Sequence, residues 1–240
     1  MLKILAVPES RPSVSIIVPA FNEAENILGT LKAIQGALAA EQIVDYELLL
    51  VDNESPDGTG RIMDDYTARD SRAFAIHLPA DAGLGRKFHE GVERASKDYV
   101  GWFPGDNETL PETMRNVFRE IGKVDVIVPY TINPRARSFI RRTLSSIYTA
   151  VFNILFGLRL KYFNGPCFFR RSVLDSVVMT TNGPAYMAEI LVQLIRRGDV
   201  TYAEVPMYIK EQKGRRSRIL RWGNVYKIAE TMIRLVLRTY

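Results

Sequence analysis

The chain has 240 residues, of which 47% are hydrophobic and 25% charged, a composition typical of a globular protein with one sizeable core. A single cysteine, Cys167, excludes an intrachain disulfide and a cysteine-based metal cage, and it favours a reducing, cytoplasmic setting. The apolar stretch before Pro8 is too short for a secretory signal, and no apolar run reaches the roughly 18 to 20 residues that span a bilayer. We therefore expect one large domain that meets a membrane, if at all, only at its surface.

Basic residues give the chain a net charge of +5 and are concentrated in its second half. Four arginines fall within residues 135–142, and six basic residues against one Glu fall within residues 210–221. Such clusters attract phosphates, nucleic acid or acidic lipid headgroups. Because these clusters lack aromatic residues arranged as a recognisable stacking platform, nucleic acid is not an expected partner.

The first half of the chain alternates between two hydrophobic patterns. Apolar runs at residues 13–19 and 46–51 predict two buried strands, and helical spacing between them predicts a helix over residues 22–38 with Asn22 as its N-cap. The alternation continues with helices over residues 59–68, 85–95 and 111–121 and strands over residues 73–78, 99–103 and 125–129. This pattern predicts an α/β fold whose mostly parallel sheet is flanked by helices.

Beyond Pro129 the alternation becomes irregular. The predicted elements there are helices over residues 138–156, 171–178 and 186–197, a strand over residues 201–205 and a basic amphipathic C-terminal helix over residues 215–240. A basic amphipathic helix with a Trp is typical of a membrane-interface anchor, although packing against the domain or a dimer contact would use the same pattern. We divide the chain into a main domain, residues 1–210, and this C-terminal element, residues 211–240.

Carboxylates follow three of the predicted strands: Glu23 after the first, Asp52 after the second, and Asp106 with Glu108 after the strand at residues 99–103. An Asp in such a place is usually a turn or cap residue, but parallel strands bring all three ends to the edge where ligands bind. A nucleotide sugar needs acceptors for its base and ribose and a divalent metal for its diphosphate. Asp52 suits the first task, and Asp106 with Glu108 suits the second.

Glycine-rich phosphate motifs are weak in this chain. GxGxxG after the first strand and the P-loop pattern are both absent. Gly83 and Gly85 precede a predicted helix, where the backbone can approach a phosphate. We therefore add Gly85 to the candidate nucleotide-sugar contacts.

The motifs VPAFNEAENI at residues 18–27 and LLLVDNESPDGT at residues 48–59, with the carboxylates at residues 104–108, resemble the family-2 glycosyltransferases. Within that family the chain is most similar to the dolichol-phosphate and polyprenyl-phosphate mannosyl- and glucosyltransferases. The resemblance implies a Rossmann-like GT-A fold and an inverting transfer of a sugar from a nucleotide sugar to a polyprenyl phosphate. It further implies a cytoplasmic enzyme, peripheral on the cytoplasmic face of a membrane, with a homo-oligomer or a separate membrane subunit as a further partner.

Residue roles follow from the same resemblance. Pro19, Phe21 and Glu23 are expected to contact the base and ribose, Asp52 to bond to the nucleoside, and Asp106 to hold Mg²⁺ or Mn²⁺ on the diphosphate. The family's usual motif Asp-Ala-Asp-Leu-Gln aligns with residues 104–108, so Pro104 replaces its first Asp and Glu108 replaces its Gln. Asp106 plus Glu108 can balance the metal's charge. A site that binds the donor without a metal, or a degenerate site, remains the alternative.

In the transferases that the chain resembles, an Arg and a Ser four residues apart hold the acceptor phosphate. Arg141 and Ser145 have this spacing, which places two side chains on one face of a helix, although a solvated basic face would look the same. Lys161 stands where an Asp is common, so the sugar or acceptor can differ from those of the mannosyl and glucosyl members.

A phosphate acceptor is already ionised, so Glu189 needs no more than a positioning role. Two other functions stay open. Transfer to a glycan hydroxyl would need Glu189 or another carboxylate as a base, and a non-catalytic nucleotide-sugar-binding subunit would need no base at all.

Overall fold

The computed structural model describes residues 11–80, 82–133, 139–210 and 222–239. In these residues one sheet contains the strands β1 (Val14–Pro19), β2 (Tyr46–Asp52), β3 (Ala73–His77), β4 (Tyr99–Trp102), β5 (Val126–Thr131), β6 (Phe168–Arg170) and β7 (Tyr202–Met207). The helices are α1 (Ile27–Ala40), α2 (Thr59–Thr67), α3 (Leu84–Arg94), α4 (Pro111–Glu120), α5 (Phe139–Phe156), α6 (Arg171–Leu174), α7 (Tyr186–Arg197) and α8 (Trp222–Thr239).

The seven strands lie in the order β3-β2-β1-β4-β6-β5-β7. β1 pairs in parallel with β2 and β4, β2 with β3, and β5 with β7, whereas β6 pairs antiparallel with β4 and β5. The predicted α/β fold with a mostly parallel sheet flanked by helices is thus confirmed. β6 was not predicted, because three residues within an irregular apolar stretch carry no readable period.

Two apolar layers cover the two faces of the sheet. Ile17 and Val100 point into the layer that contains Phe88 of α3 and Leu191 of α7. Their neighbours along the strands point into the opposite layer, which is completed by residues of α1 and α4 such as Leu31 and Phe118. Strand side chains alternate between faces, so continuous apolar runs such as LLLV in β2 are buried on both sides.

The helix predicted over residues 22–38 begins later than expected, at Ile27, so the prediction that Asn22 caps it is wrong. Asn22 has φ = 59°, which lies outside the right-handed helical region. The backbone N–H groups of Asn22, Glu23 and Ala24 donate to Ser55 Oγ, Thr59 Oγ1 and Asp57 Oδ2 at 3.0, 2.9 and 3.0 Å. The loop after β2 therefore satisfies donors that a helical cap would otherwise have to satisfy.

Two later helices also differ in detail from expectation. The helix predicted over residues 171–178 is the single turn α6, which ends at Leu174. α8 confirms a C-terminal helix, and the structure places Leu235 in the layer that contains Phe88 while Ile233 and Leu237 are exposed. One face of α8 thus packs on the domain, and the predicted start of this element at residues 215–221 lies outside the described residues.

Candidate functional site

The loops that follow β1, β2 and β4 meet at one edge of the sheet. Pro19 pairs with Val51, and Ile17 pairs with Trp102. Beyond the strand ends the pairing continues, because the Phe103 and Gly105 N–H groups donate to the carbonyls of Ile17 and Pro19, both at 3.0 Å. This register places the residues predicted to bind the nucleotide sugar at the carboxyl edge of the sheet.

Each of these three loops contains a non-glycine residue with positive φ: Asn22 at 59°, Glu54 at 51° and Asn107 at 55°. Such conformations cost free energy and persist where the surrounding contacts fix them. The Asn107 N–H, for example, donates to Thr30 Oγ1 at 2.9 Å. Strained backbone is therefore concentrated at the edge where the sequence predicts a ligand.

Asp57 joins the loops after β1 and β2. Its carboxylate accepts hydrogen bonds from the Ala24 N–H at 3.0 Å, the Thr59 N–H at 3.0 Å and Thr59 Oγ1 at 2.6 Å. Partial desolvation raises the pKa of Asp57, but the hydrogen bonds from Thr59 and Ala24 together outweigh it, so the pKa lies below its ordinary value of 3.8. The ionised carboxylate thus fixes the junction.

The predicted nucleoside contacts lie at this edge and also shape it. Asp52 is only 3% exposed and accepts from Ser55 Oγ at 2.5 Å and from the Ser55 N–H at 3.1 Å. Glu23 is buried and accepts from Asn26 Nδ2 at 2.8 Å. Both carboxylates therefore have the turn-forming role that the sequence left open, and carboxylate oxygens retain further acceptor capacity for a ligand.

Asp106 and Glu108 lie together in the loop after β4. Asp106 Oδ1 accepts the Glu108 N–H at 3.1 Å, and the Glu108 carbonyl accepts the Lys210 N–H at 2.9 Å. Lys210 Nζ also donates to Asn107 Oδ1 at 3.0 Å. The segment that follows β7 therefore holds the carboxylate loop in place.

A divalent metal fits this pair by donor chemistry. No group of three or more His, Cys, Asp and Glu side chains able to hold a metal occurs among the residues whose placement is described. Mg²⁺ nevertheless binds through one or two carboxylates together with substrate phosphates and water, since it dehydrates reluctantly. Two half-buried carboxylates, Asp106 and Glu108, match that type of site better than an all-protein cage.

Asn53 is a site residue that the sequence interpretation missed. It is 4% exposed, and its Nδ2 donates to the Ala80 carbonyl at 2.9 Å. Its Oδ1 is buried without a hydrogen-bond partner in the described part of the chain. Buried acceptors are rarely left unpaired, so this oxygen at the ligand edge indicates a missing donor. Its position directly after Asp52 was the available signal.

Gly85 lies at the start of α3, where its missing side chain has a packing reason. A Cβ on Gly85 would come within 2.7 Å of the Thr181 carbonyl oxygen, and one on Gly83 within 2.5 Å of that of Asn182. Glu189, 1% exposed, accepts hydrogen bonds from the backbone N–H groups of Thr180 at 3.1 Å and Thr181 at 3.0 Å and also from the Thr180 hydroxyl. Glu189 thus positions the loop that packs on α3, and the phosphate contact of Gly85 stays a prediction.

The structure brings Arg141 and Ser145 to one cavity of about 360 Å³ beside α5. The side chains that line it are basic or hydroxyl-bearing for the most part: Thr131, Arg141, Arg142, Ser145, Ser146, Thr149, Asn153, Lys161 and Tyr162, with Ala150. Thr131 Oγ1 is buried and has no hydrogen-bond partner within the described residues. Three cations and an unpaired hydroxyl suit a phosphate.

This cavity and the carboxylate loop belong to the same edge of the sheet. β4 and β5 are both antiparallel to β6, so their carboxyl ends point the same way. Asn133, just beyond β5, exchanges hydrogen bonds with the backbone of Ile209 at 2.8 and 3.2 Å, and Ile209 forms a bridge with Thr109 beside Glu108. A continuous set of contacts therefore connects the cation-lined cavity to Asp106 and Glu108.

A model of the family described as glycosyl transferase family 2 matches residues 15–178, which run from the second residue of β1 through β6 and include the loops after β1, β2, β4 and β5. The chain belongs to glycosyl transferase family 2. Family-2 membership identifies the chain as a family-2 glycosyltransferase.

Each curated relative matches only part of this chain, over only part of its own length. An undecaprenyl-phosphate mannosyltransferase from Micrococcus luteus is 29% identical over 116 residues, 47% of this chain and 45% of the relative. An undecaprenyl-phosphate 4-deoxy-4-formamido-L-arabinose transferase from Pseudomonas fluorescens is 25% identical over 170 residues, 69% of this chain and 49% of the relative. This family-2 chain thus spans about half the length of these relatives.

Solved structures share the fold at low sequence identity. Mannosyl-3-phosphoglycerate synthase from Rubrobacter xylanophilus has a TM-score of 0.67 at 15% identity, covering 95% of this chain and 73% of its own. Glucosyl-3-phosphoglycerate synthase from Mycobacterium tuberculosis, solved with Mn²⁺, UDP-glucose and phosphoglyceric acid, has a TM-score of 0.66 at 16% identity, covering 94% and 80%. The family-2 chain thus has the GT-A architecture of these synthases.

No helix within the described ranges is both long enough and apolar enough to cross a bilayer.

Replacing Asp57 by Ala should destabilise the protein by about 1 kcal/mol at pH 7, because the junction loses a charged acceptor. A depressed folded-state pKa contributes stability above the unfolded pKa and loses it as pH falls through the folded value. The difference in free energy of unfolding between wild type and Asp57→Ala should therefore shrink below pH ~4. Urea unfolding of wild type and variant at a series of pH values from 7 downwards measures it. A deficit that stays constant with pH would contradict the role assigned to the ionised carboxylate.

Proposed function

We propose that this family-2 glycosyltransferase moves a sugar, with inversion, from a nucleotide sugar to a polyprenyl phosphate such as dolichyl or undecaprenyl phosphate. The observation that carries the proposal is the cavity of Arg141 and Ser145, which opens at the same sheet edge as Asp106 and Glu108. One edge thus offers a carboxylate site for a donor's metal and diphosphate and a cation-lined site for an anionic acceptor.

The nucleoside of the sugar donor binds to the loops after β1 and β2. Pro19, Phe21 and Glu23 contact the base and ribose, and Asp52 bonds to the nucleoside. Asn53 supplies an acceptor for a nucleobase N–H, because its buried Oδ1 has no donor in the described structure. The glucosyl-3-phosphoglycerate synthase solved with UDP-glucose supports a nucleotide-sugar donor for this fold.

The metal half uses Asp106 and Glu108 as ligands for Mg²⁺ or Mn²⁺. A metal held by these residues would neutralise the charge of the diphosphate and so help it to leave. The Glu108 N–H donates to Asp106 Oδ1 and so orients this carboxylate. Lys210 Nζ donates to Asn107 Oδ1 and holds the same loop. A structural neighbour solved with Mn²⁺ and UDP-glucose supports the assignment.

A polyprenyl phosphate is amphiphilic, and α5 has one polar and one apolar surface to match it. Arg141, Arg142 and Ser145 line the cavity, whereas another face of the same helix exposes Ile140, Leu144, Ile147 and Ile154, spaced by four, three and seven residues. An exposed apolar stripe of this kind favours contact with lipid. Together they suit a phosphate attached to an isoprenoid at a membrane surface, and the exposed face of α8 is a second candidate contact.

Sugar transfer to a polyprenyl phosphate needs no general base. A phosphate monoester is ionised at pH 7, so its oxygen attacks the anomeric carbon directly while Arg141 and Ser145 orient it. Glu189 already accepts hydrogen bonds from Thr180 and Thr181 and acts as a positioning residue.

Two alternative functions differ in what they require. Transfer to a glycan hydroxyl would require a general base, and a protein without catalytic activity would be a nucleotide-sugar-binding subunit. The protein would work at the cytoplasmic face of a membrane, alone, as a homo-oligomer or with a membrane subunit.

Asp106→Asn should lower product formation by about 100-fold or more, because the metal and the diphosphate lose a charged ligand. The assay incubates labelled UDP- and GDP-sugars, Mg²⁺ or Mn²⁺ and a short polyprenyl phosphate, and it counts the product extracted into organic solvent. The matched control is Asp45→Asn, an exposed carboxylate paired with Lys97 away from the site, which should keep full activity. Extractable product from Asp106→Asn at the wild-type rate would remove the metal assignment.

Arg141→Ala should raise the KM for the polyprenyl phosphate by about 10- to 100-fold, because a charge-assisted contact with the phosphate is lost. Donor affinity, measured by calorimetry, should not change. Arg159→Ala provides the control, since Arg159 is exposed and outside the cavity lining. An unchanged KM in Arg141→Ala, or product only on a sugar hydroxyl, would refute the acceptor assignment.

A further inference from the structure

Lys161 contributes a cation to the cavity of Arg141 and Ser145 from outside α5. Arg141, Arg142 and Ser145 belong to that helix, whereas Lys161 lies in the segment that joins α5 to β6. An anion in the cavity would therefore meet positive charge from two separate parts of the chain.

The backbone around Lys161 is fixed, while its side chain is partly exposed. Asn153 of α5 exchanges two hydrogen bonds with the backbone of Leu160, at 2.8 and 3.0 Å, and the Lys161 N–H donates to Glu204 Oε1 at 2.6 Å. Lys161 Nζ lies 4.2 Å from the centroid of the Tyr130 ring, and the side chain is 57% exposed. The fold thus holds the base of this side chain at the cavity wall and leaves the ammonium group accessible to a ligand.

Glu204 balances the Lys161 ammonium only in part. The distance from Lys161 Nζ to Glu204 Oε2 is 3.9 Å, and an ion pair of that length on an exposed lysine contributes little. Glu204 is not part of the cavity lining, and none of the described residues that line the cavity is an Asp or a Glu. The lining therefore has the three cations Arg141, Arg142 and Lys161 and no carboxylate.

Three cations suit a phosphate dianion better than a monoanion. A phosphate monoester has a second pKa of about 6 and carries close to two negative charges at pH 7. A phosphodiester, the linkage in the headgroups of common membrane lipids, has no second ionisable oxygen and carries a single charge. At a membrane surface, phosphodiesters would compete for any site that recognised phosphate alone. A cation outside α5 can interact with the second charge of a monoester, and that interaction would distinguish the two classes of ligand.

We propose that Lys161 is a specificity-determining residue, through which the cavity selects the dianion of a phosphate monoester over the monoanion of a phosphodiester. The assignment rests on the proposed function, in which a polyprenyl phosphate binds in this cavity. Arg141 and Ser145 hold the phosphate from α5. Lys161 contacts the further terminal oxygen, which is ionised in a monoester and esterified in a diester.

The test compares wild type, Lys161→Met and Lys161→Arg with farnesyl phosphate as the acceptor and its methyl diester as a competitive inhibitor. The ratio of the inhibitor's Ki to the acceptor's KM measures selection at the phosphate, because both ligands have the same isoprenoid chain. The added bulk of the methyl group is the same for every protein, so it cancels when their ratios are compared.

Lys161→Met should raise the KM for farnesyl phosphate about 10-fold and the Ki of the diester at most about twofold, which lowers the ratio about fivefold or more. Lys161→Arg keeps the charge and should keep the ratio within about twofold of the wild-type value. The matched control is Lys123→Met, since Lys123 is 61% exposed, pairs with Glu120 and lies outside the cavity lining. Its ratio should equal that of wild type.

Three results would overturn the proposal. A wild-type ratio in Lys161→Met would exclude selection by Lys161, and an equal rise of KM and Ki would show that Lys161 only supports the cavity wall. Both of these results leave sugar transfer by wild type intact, whereas a wild type that transfers no sugar to farnesyl phosphate would refute the proposed function as well. Melting temperatures are recorded first, and if Lys161→Met does not fold, Lys161→Gln replaces it in the same comparison.

Discussion

The pairing of β1 between two parallel neighbours is the constraint on which the site depends. β2 and β4 both run parallel to β1, so three strand ends reach one edge, and backbone hydrogen bonds from Phe103 and Gly105 continue the pairing beyond the strands. Because a register shift of one residue would turn each side chain to the other face, buried apolar residues on both faces fix the register. The positions of Asp52, Glu23 and Asp106 follow from that pairing and from the loops that it brings into contact.

Charge is distributed along this edge in a way that suits two anionic ligands. The carboxylates of Asp106 and Glu108 would repel a diphosphate unless a cation came between them, whereas the cavity of Arg141 attracts a phosphate directly. The carboxylate loop and the cavity are connected through the contacts of Asn133, Ile209 and Thr109. In the proposed function both substrates are negatively charged, and a cation beside each of them would let the two approach each other closely.

Much of this arrangement was readable from the sequence because it depends on local pattern. Strands and helices up to β5 follow from hydrophobic periodicity. The choice of Arg141 with Ser145 comes from the family resemblance, and helical spacing adds only that the two side chains share one face. Three features were hidden, because each depends on contacts between distant residues. Asn22 adopts φ = 59° because the loop after β2 takes its N–H, β6 exists only as a partner of β4 and β5, and the unpaired Oδ1 of Asn53 is visible only once its surroundings are known.

In the proposed function, the carboxyl edge of β1, β2 and β4 binds a nucleoside diphosphate through a metal held by Asp106 and Glu108. Crystals soaked with Mn²⁺ and UDP or GDP, measured at the manganese absorption edge, test it most directly. We expect one anomalous peak about 2.0 to 2.3 Å from oxygens of Asp106 or Glu108 and of the diphosphate, with the base between Phe21 and Asn53. A nucleotide bound at another surface, or bound here with the metal on neither carboxylate, would contradict it.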